Sequence, residues 1–384
     1  MKKLNLMIAS LLVSGAFFAQ NNVATVVETG ENHYANVLQQ GIRNESSVNQ
    51  SNKKNSAIVT QINENVLNST LSEVEQSGQN NFATVKQVGS GVLNGAGNGV
   101  LKAFIDQTGN RNEAFQMQGP DLKQGKSYAE ILQPGSDNKA SQEQLKYGNT
   151  AKIKQTGDLN VATQEQDLDL APTAPGSNNT AMIFQSGDKN KATQVQNGVA
   201  NNASAFQIGD ENKSEQFQTG TNLALITQSG DYGYALQTQT GLLNVATILQ
   251  TGKGNDGIQY QEGTSNVGVI NQIGKFNSAY QNQVGAINNA MINQMGDENS
   301  IDQVQEGSWN TASISQSGSW NETSQKQYGD HNLATVIQPG LDNAAIQLQE
   351  GNCNTSIITQ FGTNDFASTT QIGVDNNAAI VQMP

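Results

Sequence analysis

The stretch "GLLNVATILQTGKGNDGIQYQEGTSNVGVINQIGKFNSAYQNQVG", Gly241 to Gly285, sets a Gly, then an Asn three residues on, then a Gln six after that, and starts again. Glycine returns every eleven residues without a break at Gly230, Gly241, Gly252, Gly263, Gly274, Gly285 and Gly296. It continues at Gly307, Gly318, Gly329, Gly340, Gly351, Gly362 and Gly373. An eleven-residue period can build a right-handed coiled coil. That reading needs apolar seams, and a Gly in every third turn costs about 1 kcal/mol each time. Strands fit better. In "NVATILQ", Asn244, Ala246, Ile248 and Gln250 fall on one face at period two. In "NDGIQYQ" the same face carries Asn255, Gly257, Gln259 and Gln261.

The fifth position of the unit fixes the true period. It reads Ile248, Gln259, Ile270, Gln281, Ile292, Gln303, Ile314 and Gln325, then Val336, Gln347 and Ile358. Aliphatic and Gln alternate, so the repeat is 22 residues long: two strands and two turns. The flanking inward positions are Asn266, Gln272, Asn277, Gln283, Asn288 and Gln294. Only "TGKG" separates Gln250 from Asn255, too little for a helix but enough to reverse a strand. A glycine at a fixed place suggests positive φ, and Asp188, Asp210, Asp231, Asp297 and Asp330, each just after a glycine, suit turn chemistry.

The fold expected is all-β, a two-sheet β-solenoid of strand–turn–strand–turn rungs with amyloid-like cross-β stacking. Because the chain reverses between strands, Ile should oppose Ala across the seam, and the fifth-position Gln the other Ala, so that large faces small. A buried amide without a partner costs roughly 1–3 kcal/mol. Columns of identical Asn and Gln avoid that cost by bonding to the rungs above and below. Each rung is then stabilised by its neighbours, and stability grows with rung number. The 31 strand-like units counted from Asn22 give about 15 rungs, a slab roughly 70 Å long.

"NFATVKQ" (from Asn81), "NEAFQMQ" (from Asn112), "NKASQEQ" (from Asn138) and "NTAMIFQ" (from Asn179) extend the array towards the amino terminus. Extra residues enter near 62–67, 88–100, 119–126 and 167–178, each between an even-numbered and an odd-numbered unit, so they should bulge from one edge. Residues 20–384 read as a single repeat domain, most regular over 222–384. The first strand-like run, "NVATVVE", and the last unit, Asn376 to Gln382, show no polar cap, so open edges and polymerisation are expected.

Residues 1–19 carry Lys2 and Lys3, an apolar run from Leu4 to Phe18 and a small residue at Ala19, the pattern of a secretory signal peptide. Cleavage after Ala19 or after Ala16 fits. The run is short for a membrane span and no second one follows, so no integral membrane segment is expected in the mature chain. Losing two lysines takes the formal charge from −13 to −15. Charged residues are 14% against roughly 25% in average proteins, and with no basic run nucleic acid is not an expected partner. Cys353 is the only cysteine, so an internal disulfide cannot form; intermolecular pairing is its one covalent option.

Catalysis finds little footing. No acid–base pair, nucleophile motif or phosphate loop recurs, so no enzyme, cofactor or metal is expected. His33 and His331 sit at turn boundaries and read as solvated turn residues. His331 and Cys353 occupy equivalent turn slots one rung apart, but no third ligand recurs. Trp309 and Trp320 fill similar slots on opposite edges. The nonapeptide calcium pattern is absent.

The string Gln-x-Gly-x-x-Asn-x-Ala-x-x-x-Gln appears as "QTGLLNVATILQ", "QVGAINNAMINQ" and "QYGDHNLATVIQ". It resembles the curlin repeat of the subunits of bacterial curli fibres. The resemblance implies a secreted, cell-surface functional amyloid, exported unfolded through an outer-membrane pore with chaperones and nucleated by a partner subunit. On it, Asn244, Gln250, Asn266 and Gln272 correspond to stacking amides, not catalysts. The function expected is therefore a head-to-tail homopolymer, a structural fibre subunit for adhesion and biofilm matrix. The alternative is a monomeric cell-surface adhesin or an ice- or glycan-binding solenoid. That binder needs a regular outward array, whereas the outward residues vary (Val245, Thr247, Leu249; then Ser278, Tyr280, Asn282).

Overall fold

A computed structural model describes residues 21–63, 69–89, 100–121, 126–167 and 178–383. The leader expected at 1–19 lies outside them, as do most residues of the four inserted stretches near 62–67, 88–100, 119–126 and 167–178. Among the described residues there is no helix. The strands run from β1 (Val23–Glu31) to β29 (Asn377–Gln382), and the fold is a parallel β-solenoid of about 15 stacked turns. Two of the strands, β16 (Lys213–Asp231) and β17 (Tyr234–Lys253), run on through a turn and contribute two arms each.

Each strand pairs in parallel with the strand after next, in a register that matches like with like. β19 (Val267–Lys275) lies on β21 (Asn289–Asp297) with Val267 opposite Asn289, Ile270 opposite Ile292, Gln272 opposite Gln294 and Gly274 opposite Gly296. β18 (Asp256–Thr264) lies on β20 (Ser278–Ala286) in the same way, with Gln259 opposite Gln281. The 22-residue spacing is thus the distance from one rung to the next, and in this stretch the inward Ile and Gln columns and the turn-glycine column each hold one residue type.

The chain divides into two compact units: residues 1–155 with 165–178, and residues 156–164 with 179–384. In the second unit Ile226, Ile248, Ile270, Ile292, Ile314, Val336 and Ile358 pack against Ala235, Ala279, Ala345 and Ala367 in one apolar seam. Ile does oppose the small residue: a Cβ added at Gly257 would sit 3.1 Å from Ile248 Cγ2. Across the other half of the seam the backbone of Gly268 comes close to the amide ends of Gln259, Gln281 and Gln283. Each buried Ile is worth roughly 1.5–3 kcal/mol relative to exposure.

The first unit departs from the alternation. Its early rungs have Val at the fifth position of both sheets: Val48 and Val74 in one, Val59 and Val85 in the other, all fully buried. Gln enters this column only at Gln116, which lies over Val85. Inter-rung spacing also varies there. Along one column Gln39, Gln61, Gln87, Gln118, Gln144 and Gln166 bond in sequence across separations of 22, 26, 31, 26 and 22 residues.

Candidate assembly site

The repeated chemistry of this molecule is inside it, so the site is built from the core columns and the turns that close them. Gln250 is typical. Its Nε2 donates to Gln272 Oε1 at 2.9 Å and to the Tyr234 carbonyl of the facing strand at 2.8 Å. Gln272 repeats this with Gln294 Oε1 at 2.9 Å and the Asp256 carbonyl at 2.8 Å. A second column runs Gln261, Gln283, Gln305 with the same geometry. The fifth-position column runs Gln259, Gln281, Gln303 at 2.6 and 2.9 Å. These side chains are fully or nearly fully buried and their donors are paired, which removes the desolvation cost that bars amides from most cores.

The Asn columns work differently. Asn244 Oδ1 accepts the backbone N–H of Asn266 at 3.0 Å, and its Nδ2 donates to the turn carbonyls of Thr240 at 3.2 Å and Gly263 at 3.1 Å. Asn266 and Asn288 repeat the scheme, and Asn255 differs in that its Oδ1 also accepts Nδ2 of Asn277. Asn is therefore mainly a bracket between strand start and turn, and side-chain-to-side-chain stacking is secondary. Gly233 and Asp365 occupy Asn slots and still donate their N–H to Asn212 and Asn343 Oδ1 at 2.9 Å.

The turn glycines lie at strand ends, in register with the glycine of the next rung. Gly252 has φ +114°, and a Cβ there would run into the carbonyl oxygen of Gly274. Two of the fourteen depart from positive φ: Gly340, after Pro339, and Gly362, whose N–H donates to Asp365 Oδ2 at 3.2 Å. Two residues after most of the glycines, a side-chain-bearing residue takes the left-handed conformation, among them Leu243, Phe276, Trp309, Trp320, His331 and Cys353. The conserved turn geometry thus falls partly on residues of every chemical type, which is why no sequence signal marks it. The aspartates after the glycines bond between rungs: Asp210 Oδ1 accepts the Asp188 N–H at 2.8 Å and Asp297 Oδ1 the Lys275 N–H at 2.9 Å.

His33 stands in the Asn slot of its unit, where its Nδ1 accepts the Asn55 N–H at 3.3 Å; it is a substitute bracket and not merely a solvated turn residue. His331 stacks on Trp309, ring centroids 6.0 Å apart, and Cys353 is exposed in the next rung. Trp320 Nε1 donates to Glu298 Oε2 at 2.9 Å on the other edge. Among the described residues no group of three or more His, Cys, Asp or Glu could hold a metal ion, and no helix is long and apolar enough to cross a membrane.

The columns have a direction. In every Gln pair named above the lower-numbered Nε2 donates and the higher-numbered Oε1 accepts; in every Asn bracket the higher-numbered N–H donates downward. At the last described rung Ile380 packs on the apolar seam but is only partly buried, whereas Ile358 beneath it is fully buried. Among the described residues β29 pairs only with β27 (Thr355–Gln360).

Residues 296–329, 307–340 and 329–362 match the family described as the Curlin associated repeat, in three overlapping segments. The resemblance read from the sequence is found there independently, and both the repeat and the solenoid are structural rather than catalytic architectures. No characterised protein matches the chain significantly.

Proposed function

We propose that this chain is a non-enzymatic, secreted structural subunit that self-assembles head to tail into curli-like extracellular amyloid fibres serving adhesion and biofilm matrix. The observation that carries the reading is the direction of the ladders. A rung offers Gln Nε2 donors and Asn Oδ1 acceptors upward, and these are what the underside of any other rung takes. A second copy placed on β29 would continue the columns through Gln382, whose Nε2 already donates to the Phe366 carbonyl at 2.9 Å. It would also complete the burial of Ile380. In the Gln columns two upper faces brought together would set donor against donor and two lower faces acceptor against acceptor, so growth is polar.

The curlin resemblance supports the extracellular setting. The partners that go with this reading are an outer-membrane export pore, chaperones and a nucleating subunit. The test is to incubate the purified mature chain and record fibre diffraction. A meridional reflection near about 4.7 Å supports the reading. A chain that stays monomeric while keeping its β-sheet signal overturns it in favour of the monomeric adhesin or ice- or glycan-binding solenoid.

A further inference from the structure

The two broad faces of the second unit differ in charge. On the sheet that holds the Ile column, the outward positions of the seven-residue arms, from Thr180 on β13 (Thr180–Ser186) to Val381 on β29, carry no Asp, Glu, Lys or Arg over ten stacked arms; charges such as Asp231, Lys253, Lys275 and Asp297 follow the turn glycines at the rim. They vary in identity but carry no charge: aliphatic residues, Met and the Phe184–Phe206 pair are mixed with Thr, Ser and Asn. Leu249, Val267, Ile273, Met291, Met295 and Ile357 are all exposed there. The opposite sheet of the same unit, at the same heights, carries Lys213, Glu215, Asp256, Asp302, Glu322 and Lys326.

We infer that the uncharged face is a lateral interface to a second copy of this chain, the two copies packed sheet to sheet about a two-fold axis. The area suffices. Ten strands about 4.8 Å apart, each presenting seven residues at about 3.3 Å, give roughly 1,100 Å² per copy, or about 2,200 Å² for the pair. Stable specific interfaces bury about 1,200–2,000 Å². Charge selects the face: two mature copies of formal charge −15 repel, and of the two described broad faces of this unit only this one lets them meet without desolvating an ionised group. A two-fold needs one patch complementary to itself, and an uncharged face of mixed apolar and small polar side chains on regularly registered strands can meet its own copy without an opposing charge. The contact is perpendicular to head-to-tail growth, so it forms between soluble copies and persists as pairing of filaments.

The test compares the mature wild type with Val269→Glu/Met291→Glu on this face and Ile258→Glu/Tyr280→Glu at the same heights on the other. Sedimentation of the soluble chain and cross-sections of any filaments are the readouts, with circular dichroism confirming β content. Wild type and the Ile258→Glu/Tyr280→Glu variant are expected at twice the monomer mass and in paired filaments. The Val269→Glu/Met291→Glu variant is expected at half that mass and in single filaments. Raising salt should tighten wild-type pairing, because it screens the repulsion and breaks no ion pair.

A non-disruptive check places a thiol at Met291→Cys or at Tyr280→Cys, each in a Cys353→Ser background. Only the thiol at 291 should become protected from a thiol reagent as concentration rises. The inference is overturned by a wild type that is single throughout, including one whose uncharged face adsorbs to a crystalline solid instead. It is equally overturned if both Glu variants behave alike, or if the 291 thiol stays reactive at every concentration. If no filaments form at all, the sedimentation and thiol results still decide it.

Discussion

The first compact unit and the second build the same rung from different sequences. In the second, spacing from residue 179 onward is 21 or 22 residues and the fifth position alternates an aliphatic residue with Gln as far as Ile358. In the first, spacing runs to 26 and 31 residues, and Val faces both sides of the early seam. Yet the seventh-position Gln column holds in both: Gln50, Gln76, Gln107, Gln133 and Gln155 bond at 2.7–2.9 Å, as do Gln228, Gln250 and Gln272 at 2.9 Å. The difference separates what the fold requires from what it tolerates. Register and the terminal Gln hold in both units, and the Asn bracket gives way only at single slots such as His33, Gly233 and Asp365; the fifth position needs only to fill its space, whether by Val, Ile or a laddered Gln.

The largest expected effect tests that filling. Ile248→Asp buries an unpaired charge in the seam, and should cost on the order of 4 kcal/mol of unfolding free energy in denaturant melts. Thr247→Asp, one residue away and pointing outward, should cost less than about 1 kcal/mol. Equal losses would show the inward and outward assignments to be mistaken.

Next in size is the ladder itself. Gln281→Val in the second unit removes the acceptor of Gln259 and the donor to Gln303, leaving two buried groups unpaired. A loss of about 2–4 kcal/mol is expected. Gln116→Val in the first unit sits at the ladder's boundary. Gln116 Oε1 already has no partner because Val85 lies beneath it, and the substitution moves the boundary up one rung to Gln142. The same change of side chain should therefore cost less than about 1 kcal/mol there. Melting both variants checks it; matching losses would mean that the ladder adds nothing beyond volume.

The smallest effect concerns Asp256, half-buried on the outward side of its strand with Oδ1 unpartnered. Burial raises its pKa above the ordinary 3.8, so its ionised form is disfavoured in the folded state. Its stabilising contribution is complete below that ordinary value and is lost as pH rises through the raised folded value. Asp256→Asn should flatten this slope, so the wild type should lose stability relative to the variant over that window and then run parallel to it. A difference that is constant from pH 3 to 7, taken as a span of about four units around the carboxylate range, would contradict the assignment.

Much of this was legible because period and face are arithmetic properties of a sequence. Asn244, Ile248 and Gln250 announce a strand face by spacing alone, and fourteen glycines fix the rung. The bracket role of Asn was not legible, because an Asn that bonds to its neighbour's side chain and one that holds a backbone N–H leave the same letter in the same column. The exceptions at Gly340 and Gly362 were hidden for a related reason: the φ of a glycine answers to the residues around it, here Pro339 and Asp365. The early Val columns are not legible from the regular half, because a fifth position that needs only filling leaves no fixed letter to extrapolate. His33 looked like a turn residue until its Nδ1 was seen in the place of an Asn oxygen.

The central claim is that copies add rung upon rung through the backbone edge of β29, and seeded elongation tests it most directly. Thr355 donates its N–H to the Asn376 carbonyl above it. By the same alternation the N–H groups of Ala379 and Val381 point away from β27, towards the next rung. Replacing both with Pro removes two edge donors while keeping Ala378, Ile380 and Gln382 in the core columns. The double variant should retain the circular dichroism of the wild type yet elongate wild-type seeds at least tenfold more slowly, the effect of about 1.4 kcal/mol at the growing edge. A folded double-Pro variant that elongates at the wild-type rate would contradict growth through this edge.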